Sequence, residues 1–142
     1  LPVQINRQPD EPKQPLLEHF YAHLLHETSN PIYKHGVWKM LDVTPAFDSD
    51  VTHHNLIAYS WQDADQYRIV VVNLTVQWSH GMLDLTHWTT LSKHNWQLYD
   101  ALSKTYAYHD GNHLATDGLS VDVVPYGAHI YNFKPARHIP NK

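Results

Sequence analysis

The sequence predicts an all-β fold: an antiparallel two-sheet β-sandwich with Greek-key crossings and about eight strands, preceded by one amphipathic α-helix. Three observations predict it. After Gly36, apolar and polar residues alternate in short runs, the period-2 pattern of strands with one buried face. Turn-forming residues, Asp63-Ala-Asp65 and Asp110-Gly111-Asn112 among them, stand where hairpins must reverse, and glycine accepts the positive φ that tight reversals require. Connections of two to about ten residues suit neighbouring antiparallel strands. At 142 residues the chain fits one domain with a real core, and is too short for a complete large-barrel enzyme of roughly 250 residues.

Taken in order, the chain divides into a connector and helix over residues 1–30, a sandwich over 31–135 and a tail over 136–142. Pro2, Pro9, Pro12 and Pro15 fix φ and withhold amide donors, which makes the opening an extended connector. Over 14–27, Leu16, Leu17, Phe20, Tyr21, Leu24 and Leu25 recur at three- and four-residue spacings and fill one side of a helix. Asn30-Pro31 stops it, because proline cannot continue the ladder. Strands are expected over 37–43, 55–62, 67–74, 81–85, 96–101, 106–109, 119–123 and 128–133, the last two joined by a Pro-Tyr-Gly turn. Leu56, Ile69, Val71, Leu83, Leu98, Leu119 and Val121 should meet inside.

Composition excludes several classes of function. A formal charge of −4 with scattered Lys and Arg leaves no basic stripe for nucleic acid and no polybasic segment for an anionic membrane, so neither partner is expected. No apolar run reaches the roughly 20 residues of a membrane span, and no signal-peptide pattern appears. The absence of cysteine removes disulfides, thiolate nucleophiles and cysteine-ligated metals; it suits a cytoplasmic chain and leaves secretion open. Full protonation of the 13 histidines would carry the formal charge from −4 to +9, which ties surface behaviour to mildly acidic pH.

The side chains that could carry chemistry form no convincing constellation. His19, His23 and His26 fall within one arc of the helix, yet Phe20 stands where a zincin needs its general-base Glu, and a polar face is the expectation. His53-His54 point to opposite sides of an extended segment. Asp48-Ser-Asp50 opens like a calcium loop but lacks its glycine and bidentate Glu. No carboxylate pair is framed for glycoside hydrolysis, and no Gly-x-Ser-x-Gly elbow is present. No metal and no cofactor is expected. Asn73-Leu-Thr75 is a formal glycosylation acceptor that reads as a turn-shaping Asn at the end of an apolar strand. Among the tryptophans, Trp38, Trp61 and Trp96 lie in strand patterns and suit core or inter-domain packing. Trp78 and Trp88 flank a strand and are the candidates for a carbohydrate platform, since flat rings with a polar edge stack on sugars.

The order of several motifs carries a family resemblance. Leu1-Pro-Val-Gln4, Arg7-Gln-Pro-Asp-Glu-Pro12, His19-Phe-Tyr-Ala-His-Leu-Leu25 and Asn30-Pro-Ile-Tyr-Lys-His-Gly-Val-Trp-Lys-Met-Leu-Asp42 resemble the junction between catalytic barrel and C-terminal domain in the α-amylase family of glycoside hydrolases. Asn55-Leu-Ile-Ala-Tyr-Ser-Trp61, Val70-Val-Val-Asn-Leu74, Trp96-Gln-Leu-Tyr-Asp-Ala-Leu-Ser103 and Val124-Pro-Tyr-Gly-Ala-His-Ile-Tyr131 are similar to successive strands of that family's terminal β-sandwich.

The resemblance implies that the catalytic carboxylates lie on an upstream barrel, so no catalytic role transfers to this chain. It implies a non-catalytic domain that shields and stabilises the barrel and assists α-glucan binding. Leu17, Phe20, Tyr21 and Leu24, on the apolar side of the helix, would then meet the barrel or another partner. Two rivals stand beside this reading: a free-standing carbohydrate-binding module using Trp78 and Trp88, and a structural domain that forms a homodimer through the helix.

Overall fold

A computed structural model describes residues 15–137. The connector expected before Pro15 and nearly all of the expected tail lie outside the described residues, as do the side chains of Leu17, Phe20 and Tyr21. Helix α1 spans Pro15–Thr28. Proline suits its first turn, where an amide has no intrahelical acceptor to lose. At its end the Thr28 hydroxyl turns back to donate to the Leu24 carbonyl at 2.9 Å. Asn30-Pro31 ends this helix as expected and also starts another: the Asn30 side chain accepts from the Ile32 amide at 3.0 Å, opening the single turn α2, Ile32–His35.

Nine strands follow among the described residues: β1 Val37–Met40, β2 Val43–Thr44, β3 Leu56–Asp63, β4 Gln66–Asn73, β5 Ser79–Leu83, β6 Asn95–Asp100, β7 Thr105–His109, β8 Leu119–Val123 and β9 Ala128–Ala136. Six form one sheet in the order β1-β3-β4-β9-β6-β7, and three form the other in the order β2-β5-β8. Every pairing is antiparallel. The last strand, β9, lies between β4 and β6, so the sheets interlock by crossing rather than as a plain meander. The expected all-β two-sheet sandwich is what the chain forms.

Three local expectations need correction. His53-His54 lie not on an extended segment but in a 3-10 turn, Thr52–Asn55, which brings their ring centroids to 3.9 Å of each other. The run 37–43 is not one strand. Leu41 is buried, its amide donates to the Ala58 carbonyl at 2.9 Å, and the chain then leaves the larger sheet so that Val43 pairs with Leu83 in the smaller one. Asp110-Gly111 is not a hairpin turn. Asp110 caps helix α3, Gly111–Asp117, its Oδ1 accepting from the amides of Asn112 at 2.7 Å and His113 at 3.4 Å. Glycine is needed there for a steric reason: a Cβ on Gly111 would lie 1.9 Å from the His94 carbonyl oxygen and 2.1 Å from that of Leu91.

The core lies between the sheets. Leu56, Ile69, Val71, Leu83, Leu98, Leu119 and Val121, all expected inside, are between 0% and 6% exposed. Leu85, Trp88, Leu91 and Leu114, from connecting segments, join the same cluster. Its aromatic members meet edge to face: Tyr67 lies 4.8 Å from Trp88 and 5.4 Å from Trp96, and Trp88 lies 5.4 Å from Phe133. The Trp96 indole N–H is satisfied by the Leu91 carbonyl at 2.9 Å. Each fully buried aliphatic side chain contributes about 1.5–3 kcal/mol. Among the described residues no helix is long and apolar enough to cross a membrane.

Candidate functional site

The structure separates the two tryptophans expected to share a platform. Trp88 is 2% exposed, wedged between Tyr67 and Phe133, and offers no face to a ligand. Trp78 is 58% exposed. Its loop, between β4 and β5, meets the β8–β9 turn instead, and the Tyr126 amide donates to the Thr75 carbonyl at 3.0 Å.

The staple that joins these loops is Asn73, only 1% exposed. Its amide nitrogen faces the carbonyls of Gln77, Val123 and Val124 at 2.6, 3.0 and 3.1 Å. Its Oδ1 accepts from the Thr75 amide at 3.0 Å and hydroxyl at 2.9 Å. Turn-shaping is therefore its role in the folded chain. The staple supports a cap of exposed apolar side chains: Leu74, Val76, Trp78, Val124 and Tyr126. Tyr126 sits in the turn closed by the Gly127 amide on the Val124 carbonyl at 2.9 Å, with φ of 53°. Glycine is the inexpensive residue at such a position. A tyrosine held there, 71% exposed, gives up backbone ease to present its ring to solvent.

A second exposed surface is the outer face of the six-stranded sheet. Strand pairing sets Trp38, Trp61, Arg68, Asn132, Tyr99 and Tyr106 in one row across all six strands. Met40, Tyr59, Val70 and Ile130 form the adjoining row. Trp38 stacks on Tyr59 at 5.6 Å, and Tyr99 on Tyr106 at 4.8 Å. The helices cover the middle of this face. Asn132 donates to Glu27 at 3.4 Å, His23 bonds the Ala101 carbonyl, and Tyr33 meets the Trp61 ring edge to face at 5.0 Å. Burial beneath this cover pushes the Tyr33 hydroxyl up to about 12, although Arg68 opposes the shift. The ends of the row stay open, Trp38 at 56% and Tyr106 at 61% exposed. Leu24, expected at a partner contact, is half-buried, whereas Leu25 is exposed.

Several buried titratable groups are committed to structure. His129 Nδ1 donates to Asp100 at 2.5 Å and Nε2 to the Asp122 carbonyl at 2.8 Å, so one imidazolium ties β6 and β9 to β8. The hydrogen bond to Asp100 raises the His129 pKa against the opposing effect of burial. Burial pushes the Asp100 carboxyl up, but hydrogen bonds from His129, Ser103 and the Ile130 amide outweigh it and hold the group below the usual carboxylate range. The Ser60 hydroxyl bonds His87 Nε2 at 3.0 Å, a pair of serine-hydrolase type by composition; yet Ser60 is 1% exposed, which keeps it from substrate. Asp50 is likewise internal, closing its loop through the Ala46 and Thr52 amides. Among the described residues no three His, Asp or Glu side chains are grouped to hold a metal, and the helical histidines diverge, His23 turning to the sheet.

No family model and no curated protein sequence matches the chain. Solved structures similar to it include a Bacillus halodurans protein provisionally named an alpha-N-acetylgalactosaminidase, with a TM-score of 0.47 and 11% identity over 70% of this chain and 21% of that one. A second is a GH27 β-L-arabinopyranosidase from Geobacillus stearothermophilus in complex with arabinose, with a TM-score of 0.42 and 13% identity over 68% of this chain and 20% of that one. The chain thus spans about a fifth of the length of each. Both are named as glycoside hydrolases, and neither is named as an α-amylase.

Proposed function

We propose that the chain is a non-catalytic accessory β-sandwich of a glycoside hydrolase, in finer terms the C-terminal domain of an α-amylase-like enzyme. Its outer sheet face packs beside the catalytic barrel and stabilises it. The observation that carries this reading is the aromatic and aliphatic double row of Trp38, Met40, Tyr59 and Trp61, half covered by α1 and α2 and open at the β1 edge. A sheet face of this composition is costly to leave in water, and an adjoining domain removes that cost. The commitment of the buried Asp, His and Ser groups to internal hydrogen bonds supports the non-catalytic half.

The test has two arms. The isolated chain should show no turnover of starch or maltooligosaccharides; clear turnover abolished by one substitution here would sink the reading. In the parent polypeptide, Trp38→Asp should lower the melting temperature of the barrel while the sandwich alone melts unchanged. Equal barrel melting in parent and variant would remove the packing role.

The rival carbohydrate-binding module is favoured by one observation, the strained and exposed Tyr126 stapled beside the Trp78 loop. Affinity electrophoresis on amylose decides it. Retardation lost in both Trp78→Ala and Tyr126→Ala supports the module, and an unretarded parent chain removes it.

A further inference from the structure

Two adjoining hollows open at the end of the sandwich where α3 is seated. The larger, of about 520 Å³, is walled by residues 92–95, Asp110, Asn112 and 135–137. The smaller, of about 360 Å³, shares Lys93, His94 and Pro135 with it and reaches Gln62, Asp65, Tyr67 and Thr90. Volumes of this order suit small-ligand sites, which run from roughly 300 to 1,000 Å³. The walls are held in place. Gly111 lets α3 close onto the carbonyls of Leu91 and His94, and the Asp110 cap fixes Asn112 at the rim.

The larger hollow departs from the charge of the chain, with two cations against one carboxylate. In a protein of net charge −4, Lys93 and Arg137 line one hollow, and neither makes an ion pair among the described residues. The one carboxylate of that hollow, Asp110, spends an oxygen on two helix amides. Asp65 lines only the smaller hollow. There Thr90 is half-buried with its hydroxyl 2.6 Å from that of the buried Tyr67, and the Gln62 amide nitrogen bonds the Ala64 carbonyl and the Tyr67 hydroxyl, which leaves the Gln62 amide oxygen and the Thr90 hydroxyl as neutral hydrogen-bonding groups. Two cationic donors in the larger hollow, one of them shared with the hydroxyl and amide groups of the smaller, form a two-part recognition surface.

We propose that the groove binds an anionic saccharide, its phosphate or carboxylate held by Lys93 and Arg137 and its sugar hydroxyls by the Thr90 and Gln62 side of the cleft. The choice of a saccharide rests on the carbohydrate-related reading above; the choice of an anion rests on the groove alone. Arg137 and Lys93 supply the charge-assisted donors that phosphate and carboxylate oxygens accept.

The test is a backbone-amide NMR titration of the whole chain with glucose 1-phosphate, glucuronate, glucose and inorganic phosphate. Saturable shifts at residues 92–95, 112 and 135–137 are expected with the two anionic sugars, and the tighter of them identifies the anionic group. Removal of both charges in Lys93→Ala/Arg137→Ala should weaken binding roughly tenfold or more, as loss of one such hydrogen bond does. Both side chains are exposed, so an unchanged spectrum outside the groove verifies the fold of the variant. Glucose binding as well as the anionic sugars overturns the charge argument, and inorganic phosphate binding as well as glucose 1-phosphate overturns the saccharide. No shift with any probe overturns the site, and leaves the accessory-domain reading to its own tests of turnover and barrel melting.

Discussion

The six-stranded sheet has two faces made from the same strands, and they follow different rules. On the inner face Ala58, Ile69, Val71 and Leu98 are closed off by the three-stranded sheet and lie at or near zero exposure. On the outer face Tyr59, Trp61 and Val70 of those strands, with Trp38 and Met40 of β1, are also largely apolar although Arg68 and Asn132 interrupt them, and only the middle is covered, by two helices. One face is finished within the chain. The other is finished only in part, which is why packing explains the inner residues and an adjoining domain is proposed for the outer ones.

The difference is sharpest in stability. Leu98→Ala should lower unfolding stability by about 3 kcal/mol, through lost transfer energy and a cavity that rigid neighbours cannot fill. Met40→Ala, at a residue 53% exposed, should cost no more than about 0.5 kcal/mol in the isolated chain. Urea unfolding of both variants measures the contrast, and equal losses would mean that the outer face is already packed.

A smaller effect tests the join between the sheets. Asp100→Asn should cost about 2 kcal/mol, because the substitution leaves His129 facing a weaker acceptor at a site where Asp100 is 4% exposed. The contribution also depends on pH. His129 binds its proton more tightly when folded, so its stabilisation is full below its ordinary value of 6.5 and is lost as pH rises through the raised folded value. Asp100 behaves oppositely: its contribution is present above 3.8 and is lost as pH falls through the lowered folded value. Between those limits the pair is strongest. His87 and His109 work the other way, since burial lowers both and favours the folded state above 6.5. A difference between melts isolates the pair: the gap between parent and His129→Gln should be wide near pH 5 and narrow near pH 9. A gap that widens with pH would refute the imidazolium bridge.

The smallest expected change concerns the loop cap. Tyr126→Gly relieves a left-handed backbone but frees the unfolded chain, and the two effects, each within about 1 kcal/mol, should nearly cancel. An unchanged melting temperature together with lost amylose retardation would mark the ring as a binding group. A loss of several kcal/mol would show that the ring packs.

Much of the sandwich was legible because one-sided burial writes itself into alternation: Leu119, Val121 and Val123 face in, while Ser120 and Asp122 face out. Breaks in that pattern were legible only in part. Residues 37–43 hold no Gly or Pro where the chain changes sheets after Leu41, so no breaker betrays the switch between β1 and β2. Asp110-Gly111 serves a hairpin or a helix cap equally well, and the carbonyls of Leu91 and His94 decide between them. Trp88 looks like a loop residue by its neighbours and is buried by Tyr67 and Phe133, distant in sequence. Tyr126 was hidden in a turn whose strain no local pattern displays. The charged groove draws on three separate stretches of chain, and only folding brings them together.

Asn73 carries a consequence for how the protein is made. Oligosaccharide transfer to an Asn-x-Thr acceptor attaches a bulky group to the same nitrogen that here faces three backbone carbonyls. Synthesis in a glycosylating secretory host thus sets modification against folding at one atom, and chains modified first could not close the β4–β5 loop onto β8. A bacterial cytoplasm imposes no such contest, and a comparison of soluble yield from the two hosts would read its outcome directly.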